Sequence, residues 1–153
     1  AELEQAGKLR AVITQNIDGL HQMAGSREVL ELHGTIHRAY CAKCGRRFPE
    51  EYMNEGEGVP TCPCGGVVRP DVVLYEEGLD ESVLQKSLDY ISKADVLIVG
   101  GTSLVVYPAA GLLQYYGGSK LVLINMDATP YDTRANLVIH GPIGQVLGQI
   151  QVR

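Results

Sequence analysis

The chain has 153 residues, 45% hydrophobic and 20% charged, which suits one folded domain, or one domain with a small insert, rather than a disordered segment. No apolar run approaches the roughly 18 residues of a membrane helix, and the opening AELEQAGKLR lacks the basic start and apolar block of a signal peptide. A formal charge of -5 argues against a general nucleic-acid binder, so the expectation is a cytoplasmic protein with neither nucleic acid nor membrane as partner.

In chain order, residues 1–9 read as the tail of a helix, with Leu3, Ala6 and Leu9 three apart and Gly7 as a weak spot. Residues 11–14 read as a short buried strand. It ends in TQNIDGLHQMAG (14–25), where Gln15, Asn16, Asp18 and His21 crowd the mouth of the strand. Taken alone, that stretch reads as a solvated turn. Residues 28–32 (EVLEL) alternate as a half-buried strand should.

Residues 38–66 have a different texture, rich in charge, Gly and Pro and poor in apolar runs. This is the pattern of an insert stabilised by something other than a core. All four cysteines of the chain fall here: Cys41-x2-Cys44, seventeen intervening residues, then Cys62-x-Cys64. In a reducing compartment, clustered pairs read as metal ligands, and four thiolates close a tetrahedron around structural zinc without leaving a position for substrate. A redox pair or buried free cysteines are the competing readings. Gly45 and Gly65 each follow a pair and suit the turns that aim amides at sulfur.

Residues 67–75 (VVRPDVVLY) read as extended and interrupted by Pro70. Asp80 or Ser82 can cap a helix running to about residue 93 and burying Val83, Leu84, Leu88 and Ile91. DVLIVGGTS (95–103) is a continuous apolar strand breaking into glycines, and Pro108 suits the first turn of a following helix. KLVLINMD (120–127) reads as a second fully buried strand and 137–139 as a short third. Short apolar runs alternating with helices indicate a parallel α/β sheet. At its carboxyl edge Gly100 and Gly101 allow close backbone approach, and Thr102 and Ser103 offer hydroxyls and amides near a helix start. Asn125 and Asp127 fall on the same edge.

Together these stretches resemble the sirtuins, the NAD-dependent protein-lysine deacylases, and particularly their bacterial members. TQNIDGLHQMAG, ELHGTIHRAYCAKC, the second cysteine pair, RPDVVLYEE, VGGTSLVVYPAA and LVLINMDATPYD run in family order over nearly the whole chain. The resemblance implies a partial Rossmann-like parallel sheet in 1–38 and 67–153, carrying the NAD site, and an inserted zinc-ribbon module in 39–66 held by Cys41, Cys44, Cys62 and Cys64. It implies that Gln15 and Asn16 bond the nicotinamide ribose and an ordered water, that Ile17 and Asp18 hold the nicotinamide carboxamide, and that the catalytic residues are Asn16 and His33, the latter as general base. Gly101, Thr102, Ser103, Asn125 and Ile143 would contact phosphates, ribose and adenine. Val72, Val73, Leu74 and Tyr75 would pair with the acyl-lysine peptide as an added strand. His21 is the better candidate for a structural histidine, and His37 and His140 carry no functional claim.

The reaction so implied transfers an acyl group from lysine to ADP-ribose with release of nicotinamide, His33 accepting a proton from a ribose hydroxyl. Three departures stand out. Tyr75-Glu76-Glu77 replaces the family's usual Phe-Gly-Glu, the second cysteine pair is shortened, and the family's N-terminal third, with its Gly-Ala-Gly diphosphate cradle, has no counterpart in these residues. The chain alone is therefore expected to bind NAD weakly and turn over little. The alternative is a noncatalytic remnant, a zinc-containing module that binds acyl-peptides without turnover.

Overall fold

A computed structural model describes residues 1–152. They form two units, one of Ala11–Leu84 with Ala1, the other of Glu2–Arg10 with the chain from Gln85 onward. The helix expected over 1–9 is a single turn, α1 (Glu2–Gln5), because Gly7 adopts φ 69 and its amide closes back on Glu4.

In the first unit β1 (Val12–Thr14) and β2 (Val29–Glu31) pair in parallel, Val12 beside Val29 and Thr14 beside Glu31. β2 alternates as its sequence requires, with Leu30 buried between two half-buried neighbours. The polar stretch 15–19 connects β1 to the one-turn helix α2 (Leu20–Met23). β3 (Gly34–Cys41) then pairs antiparallel with both β4 (Arg47–Pro49) and β5 (Val68–Val72), giving the order β4–β3–β5. The cysteine-bearing segment therefore shares its sheet with residues on both sides of 39–66.

Two expectations are corrected here. Pro70 does not interrupt the extended run, because β5 is an edge strand, where a missing N–H costs no ladder bond. Pro70 lies opposite Ala39, beside a bulge in β3 between Thr35 and Ala39. Nor is the insert without a core: Ala39, Cys41, Cys62 and Val68 are buried together under Phe48, Tyr52 and Met53. The last two ride on a 3-10 helix, Glu50–Asn54, and the Phe48 and Tyr52 rings sit 4.3 Å apart. At the start of β3, Gly34 has φ 74, and a Cβ there would fall 2.0 Å from the Asp71 carbonyl oxygen. Only glycine lets β3 and β5 close at this point.

Helix α3 (Glu81–Lys93) is capped by Asp80, whose Oδ1 accepts from the Ser82 and Val83 amides at 2.8 and 3.1 Å. It buries Ile91 and Ser87, whereas Val83, Leu84 and Leu88 are half-buried.

The second unit holds three parallel strands in the order β6 (Leu97–Gly100), β7 (Leu121–Asn125) and β8 (Leu137–His140). Central β7 buries Leu121, Leu123 and Ile124, and the first two pack with Leu104, Leu113 and Tyr131. β6, expected to be buried throughout, leaves Ile98 44% exposed, as an edge strand does. The helix expected after Pro108 is a 3-10 helix, Ala109–Tyr115, with Pro108 at its N-cap rather than in its first turn. Helix α4 (Ile143–Leu147) follows β8. Among the described residues no helix is long and apolar enough to cross a membrane.

Candidate functional site

In the first unit, the polar stretch after β1 is held by side chains at alternate positions of β3 and the turn before it. His33 Nδ1 lies 3.0 Å from the Gln15 carbonyl, Thr35 Oγ1 3.4 Å from the Ile17 carbonyl, and His37 Nε2 3.0 Å from the Asp18 carbonyl. Residues two apart on a strand share a face, as Thr35 and His37 do, and His33, in the turn just before β3, falls in step with them, so that all three address the same loop. The Ile36 amide adds a main-chain bond to the Ile17 carbonyl at 3.0 Å. At the loop's start the Asn16 amide donates to Thr14 Oγ1, and at its end the Leu20 amide donates to Asp18 Oδ1. The backbone of 15–18 is thus tied down while Asn16 itself is exposed to solvent.

A carbonyl can only accept, so the His33–Gln15 contact puts the proton of the neutral ring on Nδ1 and leaves Nε2 with its lone pair. His33 is half-buried, and its own carbonyl accepts from the Val73 amide at 3.0 Å. One residue therefore ties the polar loop to the end of β5.

The strand edge expected over Val72–Tyr75 is regular only at Val72. Val73 is half-buried, and Leu74 and Tyr75 run on exposed, Tyr75 completely. Glu77 shapes this turn, taking the Leu74 amide on Oε2 at 2.9 Å and both Arg69 terminal nitrogens at 2.5 and 3.0 Å. Arg69 lies over the Tyr40 ring, with its guanidinium carbon 5.7 Å from the centroid. Its guanidinium, together with the Leu74 amide, holds the Glu77 carboxyl below the ordinary 4.5. Between Tyr75 and Glu77, Glu76 adopts φ 70, a left-handed conformation that favours glycine.

In the second unit the carboxyl ends of β6, β7 and β8 bring Gly101, Asn125 and the approach to Ile143 onto one edge, and Thr102 and Ser103 follow directly from β6. Such an edge is where ligands bind in open α/β sheets. Ser103 is exposed, Thr102 Oγ1 accepts from the Leu104 amide at 3.3 Å, and Asn125 Nδ2 donates to the Asp127 carbonyl at 3.1 Å. The expectation that Thr102 and Ser103 lie near a helix start is corrected: the next helix begins only at Ala109. Gly101 (φ 64) and Leu104 (φ 56) turn the chain there, and Leu104 is held by burial in the core. Gly100 makes room for a side chain of this chain itself, since a Cβ there would fall 2.3 Å from Ile143 Cδ1. Gly101 has no such neighbour and leaves the edge open.

The four cysteine sulfurs lie within 4.8 Å of one another, Cys41 and Cys64 at 3.5 Å and Cys44 and Cys62 at 3.7 Å. A tetrahedron with Zn–S bonds of about 2.3 Å has sulfurs about 3.8 Å apart, so the set fits zinc despite the single residue between Cys62 and Cys64. Gly45 and Gly65 adopt φ 72 and 77, and their amides bond back to the Cys41 and Cys62 carbonyls. Burial pushes the Cys41 thiol up, but bonds from the Cys44 and Lys43 backbone and from the neighbouring thiols outweigh it, lowering it to about 6. A thiol so placed is ready to ligate as thiolate.

Thr35, His37, Arg69 and Glu77 are the residues that sequence reasoning passed over. The alternation of His33, Thr35 and His37 was available as a signal; the Arg69–Glu77 bond was not, because it depends on where β5 ends.

Residues 1–108 match the model of the Sir2 family. The NAD-dependent protein deacetylase of Clostridium acetobutylicum is 62% identical over 149 residues, covering 96% of this chain and 61% of that protein. That of Clostridium perfringens is 59% identical over 152 residues, covering 98% and 62%. The chain thus spans about three-fifths of the length of these curated relatives. Among solved structures, a Sir2 complex with p53 peptide and NAD+ superposes with a TM-score of 0.90 at 40% identity, over 97% of this chain and 65% of that one.

Proposed function

The chain belongs to the Sir2 family, and from that premise we propose that it carries the larger part of an NAD-dependent protein-lysine deacylase. The observation that supports the reading most is the His33–Gln15 bond. It ties a histidine with an Nε2 lone pair to the loop that bears Gln15, Asn16, Ile17 and Asp18. A base must reach the proton it takes and must hold the right tautomer beforehand, and this bond provides the second condition.

In this reading NAD supplies the ADP-ribosyl group that receives the acyl group, with nicotinamide as the leaving group. His33 takes a ribose hydroxyl proton at Nε2. Gln15 and Asn16 orient the ribose, and Ile17 and Asp18 hold the carboxamide end. Gly101, Thr102, Ser103, Asn125 and Ile143 offer hydroxyls, an amide and apolar cover to the remainder of the dinucleotide. Val72–Tyr75 receives the acyl-lysine peptide. Cys41, Cys44, Cys62 and Cys64 hold structural zinc, which keeps β3 and hence His33 in place. A set of reduced thiols suits the cytoplasm.

The test is nicotinamide release from NAD in the presence of an acetyl-lysine peptide, using the chain with and without an added N-terminal sirtuin segment. Release should depend on the peptide and rise sharply with the segment. His33→Ala should lower it about 10²- to 10⁴-fold with zinc and fold intact, and His21→Ala should cost much less. A folded, zinc-replete protein that binds acetyl-peptide but releases no nicotinamide with the segment present would overturn the enzyme reading in favour of a binding module.

A further inference from the structure

His37 carries no role in the reading above, yet it is bonded at both ring nitrogens. Nε2 faces the Asp18 carbonyl at 3.0 Å, and Nδ1 contacts Glu50 Oε2 at the start of the 3-10 helix Glu50–Asn54. A carbonyl accepts and so does a carboxylate, so both contacts are satisfied together only when both nitrogens carry protons. The ring also lies directly against the loop backbone, since a Cβ on Gly19 would fall 2.7 Å from Nε2. Gly19 (φ 68) is the residue at which the loop turns into α2.

We propose that His37, as imidazolium, is a positioning residue for the Ile17–Gly19 segment, clamping it to Glu50 and so fixing the Asp18 end of the cofactor loop. The inference rests on the assignment of residues 15–18 to the NAD site. His33 and Thr35 hold the upstream carbonyls of the loop, at Gln15 and Ile17, and His37 completes the set. It differs from the other two in being able to let go. Loss of one proton leaves the ring a single donor for two acceptors, and either the loop or Glu50 is released.

The charged groups facing the ring are Glu50 and, further off, Glu31 at the end of β2. Arg38 beside it on β3 turns instead to Asp71, at 3.2 Å, and Glu31, at 3.8 Å. The Asp18 carbonyl and then the Glu50 carboxylate hold the imidazole above its ordinary 6.5, outweighing partial burial. The clamp is therefore closed below the ordinary value and opens as pH rises through a higher one.

The first measurement follows the imidazole nitrogens and loop amides of the zinc-loaded chain by NMR from about pH 5.5 to about 8.5. The His37 midpoint should lie above 6.5, the Asp18, Gly19 and Leu20 amides should shift with that same midpoint, and Glu50→Gln should lower both together. Loop amides that stay silent through the His37 titration, or a midpoint unmoved by Glu50→Gln, would overturn the clamp. The second measurement is KM for NAD in the nicotinamide-release assay with the N-terminal sirtuin segment added. His37→Phe, which keeps the ring volume and removes both donors, should raise KM severalfold and flatten its rise with pH while leaving kcat nearly unchanged. A matching fall in kcat with KM unchanged would overturn the positioning role. Absence of NAD turnover in the unsubstituted protein with the N-terminal segment present would instead refute the enzyme assignment, and the shared titration of His37 and the loop would still decide the clamp.

Discussion

Around Gln15–Asp18 the loop carbonyls are bonded by side chains 18 or 19 residues away, all projecting from one face of one strand and its approach. Around Gly101–Ser103 and Asn125 the side chains bond locally, the Leu104 amide to Thr102 Oγ1 and Asn125 Nδ2 to the Asp127 carbonyl each spanning two residues. The distant ties there are main-chain bonds, from the Gly101 amide to the Ile124 carbonyl and from the Gly141 amide to the Asn125 carbonyl, both at 3.1 Å. The first region takes its shape from a sheet and holds its backbone before any ligand arrives, which is what positioning of reacting groups requires. The second takes its shape from a turn packed on a core, and the exposed Ser103 is open to a ligand.

This contrast breaks first at the metal. The zinc should be one per chain, and stripping it with a strong chelator should melt the β4–β3–β5 sheet and release the 15–18 loop, since structural zinc contributes on the order of 10 kcal/mol to a site of this kind. The amide signals of β6–β8 should persist. Elemental analysis and NMR before and after chelation check both points, and simultaneous loss of β6–β8 would erase the distinction.

A substitution at Gly100 tests the other region. Gly100→Val drives a side chain into Ile143 and towards the Ile124 carbonyl, which a Cβ at position 100 would approach to 3.0 Å, and should cost about 1–3 kcal/mol in denaturant unfolding. Adding Ile143→Ala should recover part of the loss without altering the His33 region. A smaller effect comes from pH. Because the folded Glu77 carboxyl is held below its ordinary 4.5, its contribution is present above that value and is lost as pH falls through the lower folded one. Glu77→Gln should therefore flatten the acid limb of the stability curve. An unchanged curve would mean that the Arg69–Glu77 pair is too exposed to matter. Smallest of all is Glu76→Gly: relief of about 1–2 kcal/mol of left-handed strain is largely cancelled by about 0.5–1 kcal/mol of glycine entropy. Thermal unfolding should show a net gain below about 1 kcal/mol, and a loss would mean that the Glu76 side chain makes a compensating contact.

The sequence made the parallel strands visible, because Leu121–Asn125 and Leu97–Gly100 are unbroken apolar runs ending in polar or glycine residues. It made the cysteine set visible because thiolates in two close pairs have few other uses. Helix type after Pro108 was not legible: a 3-10 turn and an α-helix share the same short apolar pattern, and packing of Ala109, Ala110, Leu112 and Leu113 decides between them. The small core beneath the cysteines was hidden because Ala39, Cys41 and Val68 come together only when β3 and β5 pair. The loop residues 15–18 were legible as a polar cluster and through the family resemblance, but the donors that hold them lie beyond any local window.

Gly34 has a consequence for how this sequence can drift over generations. At Gly100 the nearest obstacle to a larger residue is the end of a side chain, so a smaller residue at 143 can compensate in part, leaving the Ile124 carbonyl at 3.0 Å to shift by a few tenths of an ångström. At Gly34 the obstacle is the main-chain oxygen of Asp71, which no substitution elsewhere removes. Every descendant that keeps this sheet must keep that glycine, whether or not it keeps the chemistry of the histidine beside it. Invariance of the glycine among homologues would then report architecture, and variation at position 33 would be a separate record, one that bears on the base proposed there.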